Sequence, residues 1–341
     1  MADLGDDVDR EREVAELRAA NLRLQRSNAR LKEREADLVD AVYQAAKDAA
    51  VTVGKASPIP RPSRDRRKGP EVALLHLTDW QCGKRTPGPD GYSTDVCIRR
   101  VGQAVQKTIK LSEIQRADHP VREIVVMLGG DMVEGVSVFP GNHWEIDSQM
   151  FSQVFTAAGL VESVVTTLLG SFEKVTVAEV AGNHGRIGRK GDSPRGDNWD
   201  RVVYKIARER IGSHPRLEWE QNDNWYAVVS AGGFRALLVH GDQVKSFGGN
   251  VPAYGVLRKA NAWASGAIPE EFSAVYLGHM HQPMALQMAN GSMCYMTPST
   301  ESGSAYAREF MAAHGKPGQR LQFIDPRGDG KVTADYLLWL D

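Results

Sequence analysis

The chain has 341 residues, 42% hydrophobic and 25% charged, a length and balance that fit one large or two ordinary water-soluble globular domains. No apolar run reaches the ~18 residues a membrane helix needs, and the acidic, polar first residues do not read as a signal peptide. A membrane protein is therefore not expected, and a formal net charge of −1 leaves any nucleic-acid binding to local basic patches.

Residues 1–7 show no periodicity and read as disordered. From about residue 8 to residue 50 a heptad runs, with Leu17, Leu24, Leu31 and Leu38 at one seam position and Val14, Asn21, Asn28, Glu35 and Val42 at the other. Leucine at one position with buried Asn at the other is the pattern of a two-stranded coiled coil, because an Asn pair fixes register and favours a dimer. The sequence therefore predicts a homodimer through the N-terminal helix; the alternative is a single amphipathic helix docked on the core. Residues 51–70 form a linker in which Pro58, Pro60, Pro62 and Pro70 block regular structure. Lys55, Arg61, Arg64, Arg66, Arg67 and Lys68 against Asp65 make it basic, either as a solvated tether or as a phosphate-binding arm.

Residues 71–341 read as the catalytic domain. Strands are predicted at 72–78, 123–128 and 175–180, alternating with helices at 94–115, 148–169 and 198–211. A strand-rich part follows at 225–230, 234–239, 274–277, 284–288, 293–296, 321–324 and 332–340. Helical crossovers early and hairpins late predict an α/β fold with two sheets packed together and helices outside. The cysteines, Cys82, Cys97 and Cys294, are odd in number and not in metal spacing, which fits free thiols in a reducing compartment. Cys82 stands close enough to the first motif to be a candidate lining residue.

Five short motifs carry the chemistry: Thr78-Asp79-Trp80-Gln81, Gly130-Asp131-Met132-Val133-Glu134, Gly182-Asn183-His184, His240-Gly241-Asp242 and Gly278-His279-Met280-His281. Nearly every one follows an apolar run that reads as a buried strand, so their carboxylates, amides and imidazoles converge where strand ends meet. His279 and His281, one residue apart, point the same way in an extended segment. Two imidazoles with carboxylates suit Mn, Fe, Zn or Ni, and a pair of such ions clamps a phosphate. Each motif alone also fits a turn or a helix cap; together, in this order, they point to a two-metal phosphoesterase.

The set resembles the calcineurin-like metallophosphoesterase superfamily, whose pattern is Asp-x-His, Gly-Asp, Gly-Asn-His, His and Gly-His-x-His. The resemblance covers roughly residues 71–300 and implies an αββα sandwich preceded by the N-terminal helix. It implies that Asp79, Gln81, Asp131 and His281 hold one divalent ion and that Asp131, Asn183, His240 and His279 hold the other, with Asp131 bridging. Mn2+ is the expected metal, with Mg2+, Fe2+ or Zn2+ as alternatives. His184 would be the acid that protonates the leaving oxygen. Gln81 departs from the family histidine, and Gly185 stands where many members carry an acidic residue, so His184 must be oriented from elsewhere. Glu134 falls where DNA-repair members place a histidine near substrate and is a candidate substrate-binding residue.

After the third motif, Arg186, Arg189, Lys190 and Arg195 form a Gly-rich basic loop suited to a phosphate backbone. A basic loop, a basic linker and a dimerising helix favour a polymeric substrate. The nearest resemblance is to SbcD-type DNA-repair nucleases and their bacteriophage relatives, which implies a cytoplasmic DNA endo- or exonuclease with DNA as partner. No Gly-x-x-x-x-Gly-Lys-Ser/Thr loop is present, so an ATPase would be a separate subunit. The expected alternatives are a small-molecule phosphomonoesterase or cyclic nucleotide phosphodiesterase and, in another class, a non-catalytic DNA-binding scaffold.

Overall fold

The computed structural model describes residues 21–30, 37, 41–44, 47, 59–60, 62, 69–88, 91–188, 190–244, 253–302 and 315–341. Strands β1 (Glu71–Leu77), β2 (Val121–Leu128), β3 (Lys174–Glu179) and β4 (Leu217–Glu220) run parallel. They are joined by helices α1 (Thr94–Gln115), α2 (Met150–Leu169) and α3 (Trp199–Ile211). Two late strands, β10 (Gly318–Asp325) and β11 (Lys331–Trp339), return to β1 and add antiparallel, giving the order β11-β10-β1-β2-β3-β4. The second sheet holds β5 (Tyr226–Ala231), β6 (Phe234–Val239), β7 (Ala274–Leu277), β8 (Met284–Gln287) and β9 (Met293–Met296) in the order β5-β6-β7-β9-β8. Helix α4 (Ala253–Ala262) lies between β6 and β7 in the chain.

Strand alternation builds the layers. Ala73, Leu75, Ile124, Val126, Val175 and Val177 face α1, α2 and α3 in one core. Their neighbours Val72, Leu74, Val125, Met127 and Ala178 face Ala236, Leu238, Ala274 and Tyr276 of the other sheet. Leu237, Val239, Val275 and Leu277, on that sheet's outer side, pack against Val256, Ala260 and Trp263. Because successive side chains point to opposite faces, continuous apolar strands here mean two buried faces, and the result is the expected helix–sheet–sheet–helix stack.

Most elements fall within two or three residues of their expected bounds. Strand β4 and helix α4 are additional. Leu217-Glu218-Trp219-Glu220 is one short alternation, and α4 buries only Gly255, Val256 and Ala260, a stripe too narrow to register as a helical period. Helix α2 is long and apolar enough to span a bilayer by composition, but Val154, Ala157, Val161, Val165 and Leu168 are buried in the first core. A core helix accounts for it.

Residues 21–30 are helical and exposed, with Leu24 64% accessible. Leu17, Leu31 and Leu38 lie outside the described residues, as do residues 1–7 and most of the basic linker. Val42 departs from its seam position: it is buried in the first core. Its neighbour Tyr43 lies under the Lys205 ammonium, 3.5 Å from ring centre to Nζ, on α3. The end of the heptad thus docks on the catalytic domain.

Candidate metal centre

The parallel run of β1, β2 and β3 sends their carboxyl ends to one edge, where crossover loops begin. Asp79, Asp131 and Asn183 follow those three ends, while His240 and the 279–281 segment follow β6 and β7, which are also parallel. The two sheets meet at that edge through hydrogen bonds from the His279 amide to the Asp79 carboxylate, 2.9 and 3.1 Å. Gly278 permits this approach, since a Cβ there would sit 2.1 Å from Asp79 Oδ2, and Gly182 lets the loops after β2 and β3 close on each other, a Cβ there sitting 2.1 Å from Asp131 Oδ1.

Among the described residues, the non-glycine positions with left-handed backbone are Asp79, Gln81, Asp131, His279 and His281, at φ 44–63°. All five belong to the expected ligand set. Such conformations cost about 1 kcal/mol or more each and persist where surrounding structure over-determines them, typically at functional sites.

The side chains form two abutting groups. In one, ligand atoms of Asp131, His240 and His279 all lie within 4.8 Å of one another. His240 Nε2 is 3.1 Å from both Asp131 Oδ2 and Asn183 Oδ1, and its Nδ1 meets the Gly129 carbonyl at 2.8 Å, fixing the ring. In the other, His281 Nε2 lies 3.3 Å from Asp79 Oδ1 and 3.3 Å from the Gln81 amide. Gln81 Oε1 is buried and without a hydrogen-bond partner, an arrangement that normally costs free energy. It is Nε2 that faces His281 and His184, and the buried, unpartnered Oε1 is a hard donor of the kind a divalent cation takes.

The charges agree. Burial raises the Asp79 and Asp131 pKa values, but the neighbouring histidines outweigh it and hold both below the ordinary range. Burial lowers His240 and His281, yet Asp131 in one case and Asp79 with Glu301 in the other lift each to about 10. His279 is pushed down to about 4, chiefly by burial and then by His240. The carboxylates around His240 and His281 therefore favour positive charge at both groups, as a cation site does.

His184 stands beside both groups. Its backbone N–H donates to Asp131 Oδ1 at 2.7 Å, its Nε2 lies 3.4 Å from the Gln81 amide, and its Nδ1 lies 3.1 Å from Glu134 Oε2. Burial lowers its pKa, but Glu134 and Asp131 raise it to about 9. This corrects the substrate-binding expectation for Glu134, which is fully buried beneath His184 and held by Asn142 Nδ2 at 3.0 Å. It also answers the departure at Gly185. A Cβ there would sit 2.2 Å from Asn198 Oδ1, so no acid fits, and the carboxylate arrives from the neighbouring loop.

Three supporting groups escaped the sequence reading. Asp200 is buried and accepts from the amides of Asp131 and Gly182 on one oxygen, both 2.8 Å, and from Met132 at 2.9 Å on the other. It clamps two ligand loops together. Glu301 approaches His281 Nδ1 at 3.5 Å and pairs with buried Lys84 at 3.3 Å. Gln319 holds Thr78 as a strand would, accepting from its N–H at 2.8 Å and donating to its carbonyl at 3.1 Å. Only Asp200 left a sequence trace, two residues after the helix-capping Asn198. Cys82 is buried behind the site, paired in a bridge with Val133, and does not line it.

A cleft of about 390 Å³ opens beside the centre, reached by Gly182, Asp242, Trp225 and the basic loop. Arg186, Lys190 and Arg195 line it; Arg189 lies outside the described residues. Arg186 is anchored by its Nε donating to the Asn183 carbonyl at 2.8 Å, and Lys190 and Arg195 are exposed.

No family model matches the chain, and no curated protein does. Solved structures similar to it include a dimetal phosphatase from Danio rerio, at 10% identity and TM-score 0.40 over 80% of this chain and 100% of that one. Another is Vps29 from Entamoeba histolytica, complexed with zinc, at 12% identity and TM-score 0.34 over 78% and 99%. A third is a hypothetical protein from Pyrococcus horikoshii, at 12% identity and TM-score 0.38 over 79% and 89%. Likenesses of this size carry no argument about activity, which must come from the site.

Proposed function

We propose that the chain is a two-metal phosphodiester hydrolase of the calcineurin-like type and that its substrate is DNA. The observation that carries the reading is the pair of abutting donor groups at one edge of the two sheets, Asp131 with His240 and His279 in one and Asp79 with His281 in the other, with His184 alongside. Asp79, Gln81, Asp131 and His281 would hold one cation, and Asp131, Asn183, His240 and His279 the other. Bound there, divalent cations supply Lewis acidity to the phosphoryl group and acidify water.

The chain's own residues do the rest. The Glu134 carbonyl accepts from His184 Nδ1 at 3.0 Å and aims the imidazole, while the Glu134 carboxylate, 3.1 Å from the same nitrogen, keeps the ring protonated. Its Nε2, on the Gln81 side, is free to give its proton to the departing oxygen. Asp200 keeps Asp131 and the 182–184 loop in register. Arg186, Lys190 and Arg195 flank the centre with positive charge that suits the phosphates on either side of the scissile one. The buried donors and the basic loop favour an enzyme over a scaffold.

A small phosphomonoester or cyclic nucleotide is the second reading, favoured by the volume of the adjacent cleft. The deciding experiment assays the protein with Mn2+ or Mg2+ against bis-p-nitrophenyl phosphate, p-nitrophenyl phosphate and DNA. Cleavage of the diester and of DNA, abolished by EDTA, is expected. Hydrolysis of the monoester alone would move the reading to a phosphatase, and no hydrolysis with any divalent cation would remove it.

A further inference from the structure

Four aromatic side chains are exposed among the described residues: Phe139, Trp144, Phe151 and Tyr254. Three of them fall within residues 139–151, in the loop that leaves Glu134 and the start of α2. Trp144 is the most open, 79% accessible, with Phe139 at 38% and Phe151 at 45%. An isolated exposed aromatic needs no explanation; three on one short segment beside a candidate active site do.

The segment is anchored at both ends to the site. Asn142 donates to Glu134 Oε1 at 3.0 Å and accepts from the Val138 amide at 3.1 Å. Past Trp144, the Arg85 amide donates to the Glu145 carbonyl and the Asp147 amide to the Gly83 carbonyl, both 2.8 Å, so this stretch pairs with the residues that follow Gln81. Asn142–Trp144 forms one tight 3₁₀ turn, closed by Trp144 N–H to the Gly141 carbonyl at 2.9 Å. Two residues of chain place the Trp144 backbone within roughly 7 Å of that of Asn142. Phe151 then meets Trp199 edge to face at 6.4 Å, and the Trp199 amide donates to the Gly185 carbonyl at 2.7 Å. Phe151, at the C-terminal end of the aromatic segment, therefore lies at the base of the loop carrying Arg186, Lys190 and Arg195.

We propose that Phe139 and Trp144 are a stacking platform for the unpaired bases of a single-stranded nucleic acid whose phosphates follow the basic loop past the metal centre. This rests on the phosphodiesterase reading and narrows its substrate. Flat side chains open to water on a hydrogen-bonded turn offer faces on which any base stacks, while a positive loop tracks the backbone. A duplex keeps its bases paired and offers no such faces. The charge of the loop selects a polyanion over an apolar protein surface.

The test is binding of a fluorescent dT oligonucleotide in EDTA, where no cleavage occurs, against an equal-length duplex and an equal-length base-free sugar-phosphate strand. The wild type should bind dT more tightly than either. Trp144→Ala with Phe139→Ala should weaken dT binding by about 10- to 100-fold, the worth of ~1–3 kcal/mol of stacking, while Trp144→Phe retains most of it. Tyr254→Ala, outside the strip, should change nothing. Equal binding of dT and the base-free strand, or unchanged dT affinity in the double variant, overturns the platform. A change of oligomeric state in that variant, seen by light scattering, also overturns it and assigns the strip to a protein contact. Hydrolysis of bis-p-nitrophenyl phosphate by the wild type is read separately: if it proceeds while the platform fails, only the substrate is wrong.

Discussion

At the scale of single residues, the site turns on who holds the His184 proton. Glu134 and Asp131 raise its pKa to about 9 against the pull of burial. A general acid works while protonated, so turnover should hold below that pKa and fall as pH rises through it; bound cations will move the limb to lower pH. Glu134→Gln removes one of the two charges, so the alkaline limb should move further toward neutrality and the rate fall by ~10- to 100-fold. A pH–rate profile checks this, and an unmoved limb would count against the pairing. His184→Ala should slow turnover by roughly 10²–10⁴-fold, with a smaller loss on nitrophenyl esters, which leave without protonation. At Gln81, replacement by His should lower the Mn2+ concentration for half-maximal activity, because imidazole is the better ligand for borderline ions.

At the scale of elements, the ligand loops are only as ordered as the group that ties them. Asp200, in the first turn of α3, accepts amides from the loops after β2 and β3. Asp200→Asn would turn one acceptor into a donor facing an N–H, leaving a buried conflict. Metal affinity should drop about 10- to 100-fold with the fold retained, read by metal titration with circular dichroism as the control. The spacing of Asp200 from the capping Asn198 announces a helix start and not this clamp, because its partners lie in two other loops, 68–69 and 18 residues away in sequence.

For the whole molecule, two predictions concern stability and assembly. Glu179 on β3 is buried, held by Trp219 Nε1 at 2.7 Å, and burial lifts its pKa to about 7. The folded state then binds more protons than the unfolded between about pH 4.5 and 7, so this stabilisation is present below that window and lost as pH rises through it. Glu179→Gln should flatten that slope and raise the melting temperature at pH 8 but not at pH 4, by up to about 3 kcal/mol of stability. The N-terminal helix should set the oligomeric state. Deletion of residues 1–40, which spares the docked Val42 and Tyr43, is expected to give a monomer by light scattering that still hydrolyses nitrophenyl esters. Long-DNA binding should weaken more than hydrolysis, because two sites on one dimer engage one strand together. A truncated dimer would place the interface in the catalytic domain.

Most strands and helices were readable along the chain, and so were the seven residues Asp79, Gln81, Asp131, Asn183, His240, His279 and His281 that the structure brings to one edge. Period-2 and period-3.6 patterns, and polar residues directly after apolar strands, are local signals. Tertiary structure decided what depends on loops meeting. It took Glu134 from the substrate to a buried place against His184, where Asn142 holds its carboxylate, while Asn198 fills the space an acid at residue 185 would need. It brought Asp200, Glu301 and Lys84 behind the ligands, and turned Val42 from a helical seam into the core. It also gathered Phe139, Trp144 and Phe151 beside the centre, a grouping that arises because the 142–147 turn pairs with the residues after Gln81, some 60 positions earlier in the chain.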